Sequence, residues 1–197
     1  MKKAAIGFRV HSGWSAVVVV SVERGFLKVL RRERLQLVKV FSYRFRQPYH
    51  TGEKVELQEA GKFIAGVQKE AEELAAGFVR MTQIATEKEG YRIARGGMVQ
   101  AGGRKLPELA KVLESHTLIH SADGELFREA IRSACERNGV RLNGVSAKEL
   151  VQECARKVSI DEAEIVRRIR EMRKAVGPPW GEDEKFAATV AWLALFS

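Results

Sequence analysis

Ala4-Ala5-Ile6-Gly7-Phe8-Arg9-Val10-His11-Ser12-Gly13-Trp14-Ser15-Ala16-Val17-Val18-Val19-Val20-Ser21-Val22 is the stretch from which the fold is read. Residues 14–22 are rich in β-branched side chains, which fit a pleated, half-buried surface better than a helix. Residues 4–10 form a shorter apolar run. Between the two, His11-Ser12-Gly13 has the length and the glycine of a tight turn. Glu23-Arg24-Gly25 repeats the turn signal, and residues 26–40 read as a third strand. Strands at 4–10, 14–22 and 26–40 joined by loops this short can only pair antiparallel, as a meander.

Downstream, the periodicity changes. Between residues 53 and 88, apolar side chains at 57, 60, 64, 67, 71, 74, 78, 81 and 85 mark one stripe of an amphipathic helix. Gly66 and Gly77 weaken that helix, and Gly90 stops it. Residues 91–100 read as a fourth strand and 101–105 as a loop. Pro107 suits the first turn of a helix that runs through Glu136 to the Asn138-Gly139 stop. The alternative for 116–120 is a short strand, with Ser121 capping a helix from Ala122. Val140-Arg141-Leu142 is a short strand. Ser146-Ala147-Lys148-Glu149 and Ser159-Ile160-Asp161-Glu162 have the spacing of capping boxes. Gly177-Pro178-Pro179 ends the second of these helices, and a last helix starts near Trp180.

At 197 residues the chain fits one domain spanning 1–197, large enough to bury a full core. No run approaches the roughly 18 apolar residues of a membrane span. Arg9 and His11 interrupt what would be a secretory h-region after Lys2-Lys3. The expectation is a soluble, cytoplasmic protein, with Cys135 and Cys154 reduced inside helices. The formal net charge is +9, and all of it lies in residues 1–50, which hold eleven Lys and Arg against two Glu. Such a basic segment favours phosphate-bearing or otherwise acidic partners, or else is a solvated surface that keeps the protein soluble.

Strands first and helices alternating later indicate an α+β or α/β protein with a mixed sheet flanked by helices. This order, the opening Ala5–Val17 strand-turn-strand and the pattern from Asn138 to Leu195 resemble the RNase H-like superfamily, in its branch of RuvC-type Holliday-junction resolvases. The resemblance implies two-metal phosphodiester hydrolysis, in which clustered carboxylates hold two Mg²⁺. It also implies a first acid closing an Ile-Gly-Ile-Asp pattern on strand one, where this chain has Arg9. The second acid belongs on strand four, where the matched stretch is Arg95-Gly96-Gly97. Only the third position, at the start of the last helix, keeps acids: Glu182, Asp183 and Glu184. Acids in a first turn are also what the helix dipole favours in any protein. The resemblance is therefore to a member with its catalytic acids largely missing.

Other constellations are weaker. His116 and His120, at i and i+4, share a helix face and are candidate metal ligands, with Asp123 near. Thr117 stands where a metalloprotease motif would need Glu, and no third ligand is assured. Gly96-Gly97 and Gly102-Gly103-Arg104-Lys105 are phosphate-friendly but lack the Ser/Thr of a Walker A loop, so no nucleotide cofactor is expected. Residues 41–46 alternate aromatic and polar, which in a strand places Phe41, Tyr43 and Phe45 on one face and Arg44 and Arg46 on the other. Aromatics beside arginines suit single-stranded nucleic acid, or else the rings pack on the core of an edge strand. Arg31, Arg32, Arg34, Tyr43, Arg44 and Arg46 are the candidate nucleic-acid contacts. The leading expectation is a non-catalytic nucleic-acid-binding protein. Its rivals are a divergent metal-dependent nuclease or phosphotransfer enzyme and a module for an acidic protein partner.

Overall fold

A computed structural model of the chain describes residues 1–100 and 105–197, so most of the 101–105 loop, with its glycine-rich phosphate candidate, lies outside the described residues. The expected meander is present as β1 (Lys2–His11), β2 (Trp14–Glu23) and β3 (Phe26–Gln36), with β1–β2 and β2–β3 antiparallel. Gly13 takes the left-handed turn conformation (φ 83°) that the β1–β2 loop requires. The third strand ends at Gln36 instead of 40. Leu37 donates its N–H to Gly13 O at 2.9 Å, and Leu37 and Val38 turn out of the sheet to be buried in the core. β4 (Tyr91–Gln100) runs parallel to β1, and β5 (Arg141–Ser146) runs parallel to β4, giving one mixed sheet of order β3-β2-β1-β4-β5.

The 41–46 alternation does not make a strand. Its residues enter α1 (Tyr43–Arg46), followed by α2 (Pro48–Gly52), where Pro48 occupies the helix start that its fixed φ suits. The three rings therefore diverge. Phe45 packs on the core and against Phe63, whereas Phe41 and Tyr43 are exposed. α3 (Leu57–Lys88) is unbroken at Gly66 and Gly77. Its buried stripe is 60, 64, 67, 71, 75, 79, 82 and 86, one residue later than the apolar pattern in the second half. The small residues Ala75 and Thr82 face the core while Met81 stays out, because close helix packing selects for size as much as polarity.

The continuous or nearly continuous helix expected from 107 to 136 has one short break, between α4 (Leu109–Leu113) and α5 (His116–Arg137), and residues 116–120 are helical. Ser115, in extended conformation, is the break: it follows the Glu114 C-cap of α4 and occupies the N-cap position of α5 without a side-chain capping bond, while Ser121 lies inside α5 and donates to Thr117 O. The short strand foreseen at 140–142 extends to Ser146. Half of the Ser146 box forms: Ser146 Oγ accepts Glu149 N–H at 3.3 Å and donates to Glu149 Oε2 at 2.7 Å, one turn ahead of α6 (Leu150–Val158), whose N-cap is Glu149. The second box fails. Ser159 is the left-handed C-cap of α6, and Asp161 caps α7 (Glu162–Glu171), its side chain accepting Glu164 N–H at 2.7 Å. A single turn, α8 (Arg173–Val176), leads to α9 (Glu182–Leu195).

Alternation along the strands divides the core. Ile6, Phe8, Val17 and Val19 face α3 and α5, while Val18, Val20 and Val99 face α6, α7 and α9. α9 is buried at every position from Ala187 to Ala194, as a helix apolar all round must be. No helix among the described residues is long and apolar enough to cross a membrane.

Cys135 lies in the first core and Cys154 in the second, both fully buried and free, so the sheet separates them. Burial pushes both thiols up to about 12. Since the thiolate is the reactive form, neither should react with a disulfide reagent in the folded protein, and both should react at once in denaturant. Rapid modification of the native protein, counted by absorbance, would contradict this placement.

Candidate functional site

The position of α9 decides what faces Arg9. The two backbones can approach because Gly7 and Gly97 present no Cβ where the carbonyls of Ala187 and Val190 cross the sheet. This approach brings the first turn of α9 over the end of β1. There Asp183 Oδ1 lies 2.8 Å from His11 Nε2 and 3.7 Å from Arg9 Nε. Arg9 also covers the Phe186 ring (5.0 Å to its centroid), and its buried Nε makes no hydrogen bond.

The other two acids are engaged locally. Glu182 pairs with Lys185 at 2.7 Å, and Glu184 accepts Gly181 N–H at 2.7 Å to cap its own helix. Of the three candidate acids, only Asp183 turns to the sheet, where the Arg9 guanidinium and the His11 imidazole meet it.

A ladder of rings and guanidinium groups continues from this point along the same edge. His11 stacks on Trp14 with centroids 4.5 Å apart and planes 12° from parallel. Arg34 lies over Trp14 at 3.8 Å and near Phe41 at 5.6 Å, and Arg46 lies over Phe41 at 4.5 Å while donating from Nε to Ser12 O at 3.3 Å. Arg44 packs over Phe63 at 4.9 Å, with exposed Tyr43 beside it in the chain. Register explains the grouping, since Arg9 pairs with Ala16 and Ala16 with Arg34, all on the α9 face. Cations stacked on ring faces are held by the ring quadrupole and keep their donors for a ligand.

Two of the six basic and aromatic candidates stand apart. Arg31 points to the other face and pairs with Glu89 at the end of α3. Arg32 donates to the carbonyls of Gly177 (2.8 Å) and Pro179 (2.6 Å), tying the loop before α9 to the sheet. The stretch matched to the second acid also moves. Arg95, Gly96 and Gly97 pair with Ala5, Ile6 and Gly7, below Arg9, and the β4 residue level with Phe8 is Met98. No residue of β4 is a carboxylate. His11 and Trp14 were missed in the sequence, although a histidine and a tryptophan flanking a two-residue turn are cross-strand neighbours in any tight hairpin.

His116 and His120 do share a face of α5, with Nε2 atoms 3.0 Å apart. Buried His50, from α2, joins them. It was missed because nothing in the sequence links residues 66 positions apart.

No protein-family model matches the chain, and no curated protein matches it. Solved structures do. The chain is similar to RuvC of Thermus thermophilus at TM-score 0.52 and 11% identity, over 98% of this chain and 93% of that one. The T. thermophilus RuvC structure in complex with a Holliday junction substrate gives TM-score 0.53 and 12% identity, again over 98% and 93%. The fold is therefore the expected RNase H-like, RuvC-type fold. At this identity the likeness concerns the fold alone.

Proposed function

We propose that this chain is a single-domain RuvC-like protein that binds nucleic acid without cutting it. Its contact surface is the cationic and aromatic edge formed by Arg9, Arg34, Tyr43, Arg44 and Arg46 with Trp14 and Phe41. The observation that carries the reading is Asp183 closed by Arg9 and His11. Two-metal hydrolysis needs several carboxylates converging on a pair of Mg²⁺ ions. Here the one acid turned toward the sheet faces a guanidinium 3.7 Å away, which would repel either ion. The donor set does not fit two Mg²⁺, so no hydrolytic step is assigned. The surface that remains suits phosphate, through guanidinium donors, and unstacked bases, through exposed rings. A Holliday junction bound by T. thermophilus RuvC supports nucleic acid as the ligand class for this architecture.

Fluorescence anisotropy with branched, duplex and single-stranded DNA and RNA tests the reading. Binding should be salt-sensitive, and the Arg34→Gln/Arg44→Gln/Arg46→Gln variant should flatten the plot of log affinity against log salt. The slope should fall by about 0.9 on duplex, and about 0.7 on single strands, for each phosphate that is no longer neutralised. Arg31→Gln and Arg32→Gln, whose side chains are already committed, should leave the slope unchanged. Absence of binding at low salt would sink the proposal in favour of a module for an acidic protein. Mn²⁺-dependent nicking abolished by Asp183→Asn would make the chain a divergent nuclease instead.

A further inference from the structure

Three of the four histidines of this chain meet at one point, on the side of the sheet away from Asp183. His50 comes from α2, and His116 and His120 from the first two turns of α5. One ring nitrogen of each lies within 4.8 Å of those of the other two. The rings stand edge-on to one another, with centroids 5.4 Å (His50–His116), 4.4 Å (His50–His120) and 4.5 Å (His116–His120) apart. The small cluster of Val112, Ile119 and Ala122, with Tyr49 packed against it, fixes the start of α5 against α2.

The decisive feature is Asp123. It is 3% exposed and divides its carboxylate between Tyr49 N–H (to Oδ1, 2.8 Å) and His50 Nδ1 (to Oδ2, 2.5 Å). With Nδ1–H given to the carboxylate, the lone pair of His50 is on Nε2. A carboxylate behind an imidazole is the arrangement that orients a metal-binding histidine and raises its basicity. A hydrogen bond between His116 and His120 accounts for those two exposed rings. It does not account for a third ring, buried, held by a carboxylate and set against them.

We propose that His50, His116 and His120 bind one zinc-class divalent ion, with Asp123 as the residue that positions His50. Imidazole ligands favour zinc and its neighbours over Mg²⁺ or Ca²⁺, which take oxygen. Zinc holds histidine nitrogens at about 2.0–2.1 Å, so two ligand nitrogens at the tetrahedral angle stand about 3.4 Å apart. The 3.0 Å between the Nε2 atoms of His116 and His120 is close to that span. Three protein ligands leave a fourth position, and the exposure of His116 and His120 gives it to water. The ion would fasten α2 to α5, and with α2 the preceding turn that carries Arg44 and Arg46. The site does not depend on the nucleic-acid reading and stands if that reading fails.

The test uses the full chain, purified without a histidine tag and stripped with chelator. Titration with Co²⁺ should produce a visible band of tetrahedral intensity that saturates at one ion per chain, and Zn²⁺ should displace it. Zn²⁺ should also raise the melting temperature, because an ion that binds only the folded state stabilises it. His116 and His120 are exposed, so His116→Asn and His120→Asn should fold like the wild type yet lose the cobalt band. Asp123→Asn should weaken Zn²⁺ affinity by about 10- to 100-fold, and either ligand variant by more. A wild type that gives no cobalt band, or ligand variants that bind Zn²⁺ as tightly as the wild type, would overturn the proposal.

Discussion

Gly7→Ala should destabilise the protein by about 3 kcal/mol, at the upper end of what overpacking costs, and Gly97→Ala by a similar amount. A Cβ at Gly7 would lie 1.9 Å from Ala187 O and 2.9 Å from Ala191 Cβ, and one at Gly97 would lie 2.4 Å from Val190 O. The closest obstacles, the Ala187 and Val190 carbonyls, are backbone, and alanine has no rotamer to change, so no side-chain adjustment relieves them. α9 would have to lift off the sheet, opening gaps along a helix buried from Ala187 to Ala194. The same displacement would draw Asp183 away from His11 and Arg9, so the loss of stability and the disruption of the site should appear together.

Gly66→Ala and Gly77→Ala are the counterpart. They lie within α3, where an added Cβ meets nothing within 4 Å, and alanine should stabilise each by about 0.5–1 kcal/mol through helix propensity and unfolded-state entropy. Urea unfolding of the four variants checks both signs. A Gly7→Ala protein within about 1 kcal/mol of wild type would mean that α9 does not press on β1 as described.

What was legible in the sequence was whatever depends on local pattern. The meander could be read because β-branched alternation and glycine turns act over a few residues, and His11-Ser12-Gly13 admits little besides a hairpin. The mixed sheet followed from element order. Reading failed where tertiary packing overrides pattern. Phe41, Tyr43 and Phe45 alternate as in a strand, but Pro48 and the burial of Leu37 and Val38 take the chain out of the sheet first, and Tyr43 begins a helix. The core stripe of α3 drifted by one residue because 3.6 residues per turn outruns a spacing of alternate threes and fours. Arg9, where the resemblance led one to expect an acid, was visible. Its partnership with Asp183 spans most of the chain and needed the sheet register and the close approach at Gly7 to be seen. Likewise i,i+4 spacing revealed His116 and His120, but only the fold brings His50 to them and Asp123 behind it.

Asp123→Ala should cost about 2–5 kcal/mol, because it strands two donors in the interior. Tyr49 N–H and His50 Nδ1–H both end on this carboxylate, and a buried donor left without an acceptor costs about 1–3 kcal/mol. Asp123→Asn separates the hydrogen bonds from the charge. Its amide oxygen can still accept from Tyr49 N–H, but its NH₂ then faces His50 Nδ1 and drives that ring to the Nε2–H tautomer. The Asn variant should therefore lose less stability than the Ala variant, and its ¹⁵N spectrum should show the two His50 nitrogens exchanging character. Burial holds the Asp123 carboxyl above its ordinary 3.8, opposed by the bonds from His50 and Tyr49. A carboxyl with a raised pKa binds its proton more tightly folded than unfolded. Its contribution to stability is thus largest below the unfolded value and falls as pH climbs through the raised one. Asp123→Asn removes that slope, so the stability gap between wild type and the Asn variant should narrow, or turn in favour of Asn, as pH rises across this window. Urea midpoints for the three proteins at several pH values measure all of this. An Ala variant within about 1 kcal/mol of wild type, or an unchanged His50 tautomer in the Asn variant, would show that Asp123 does not hold the ring that joins α2 to α5.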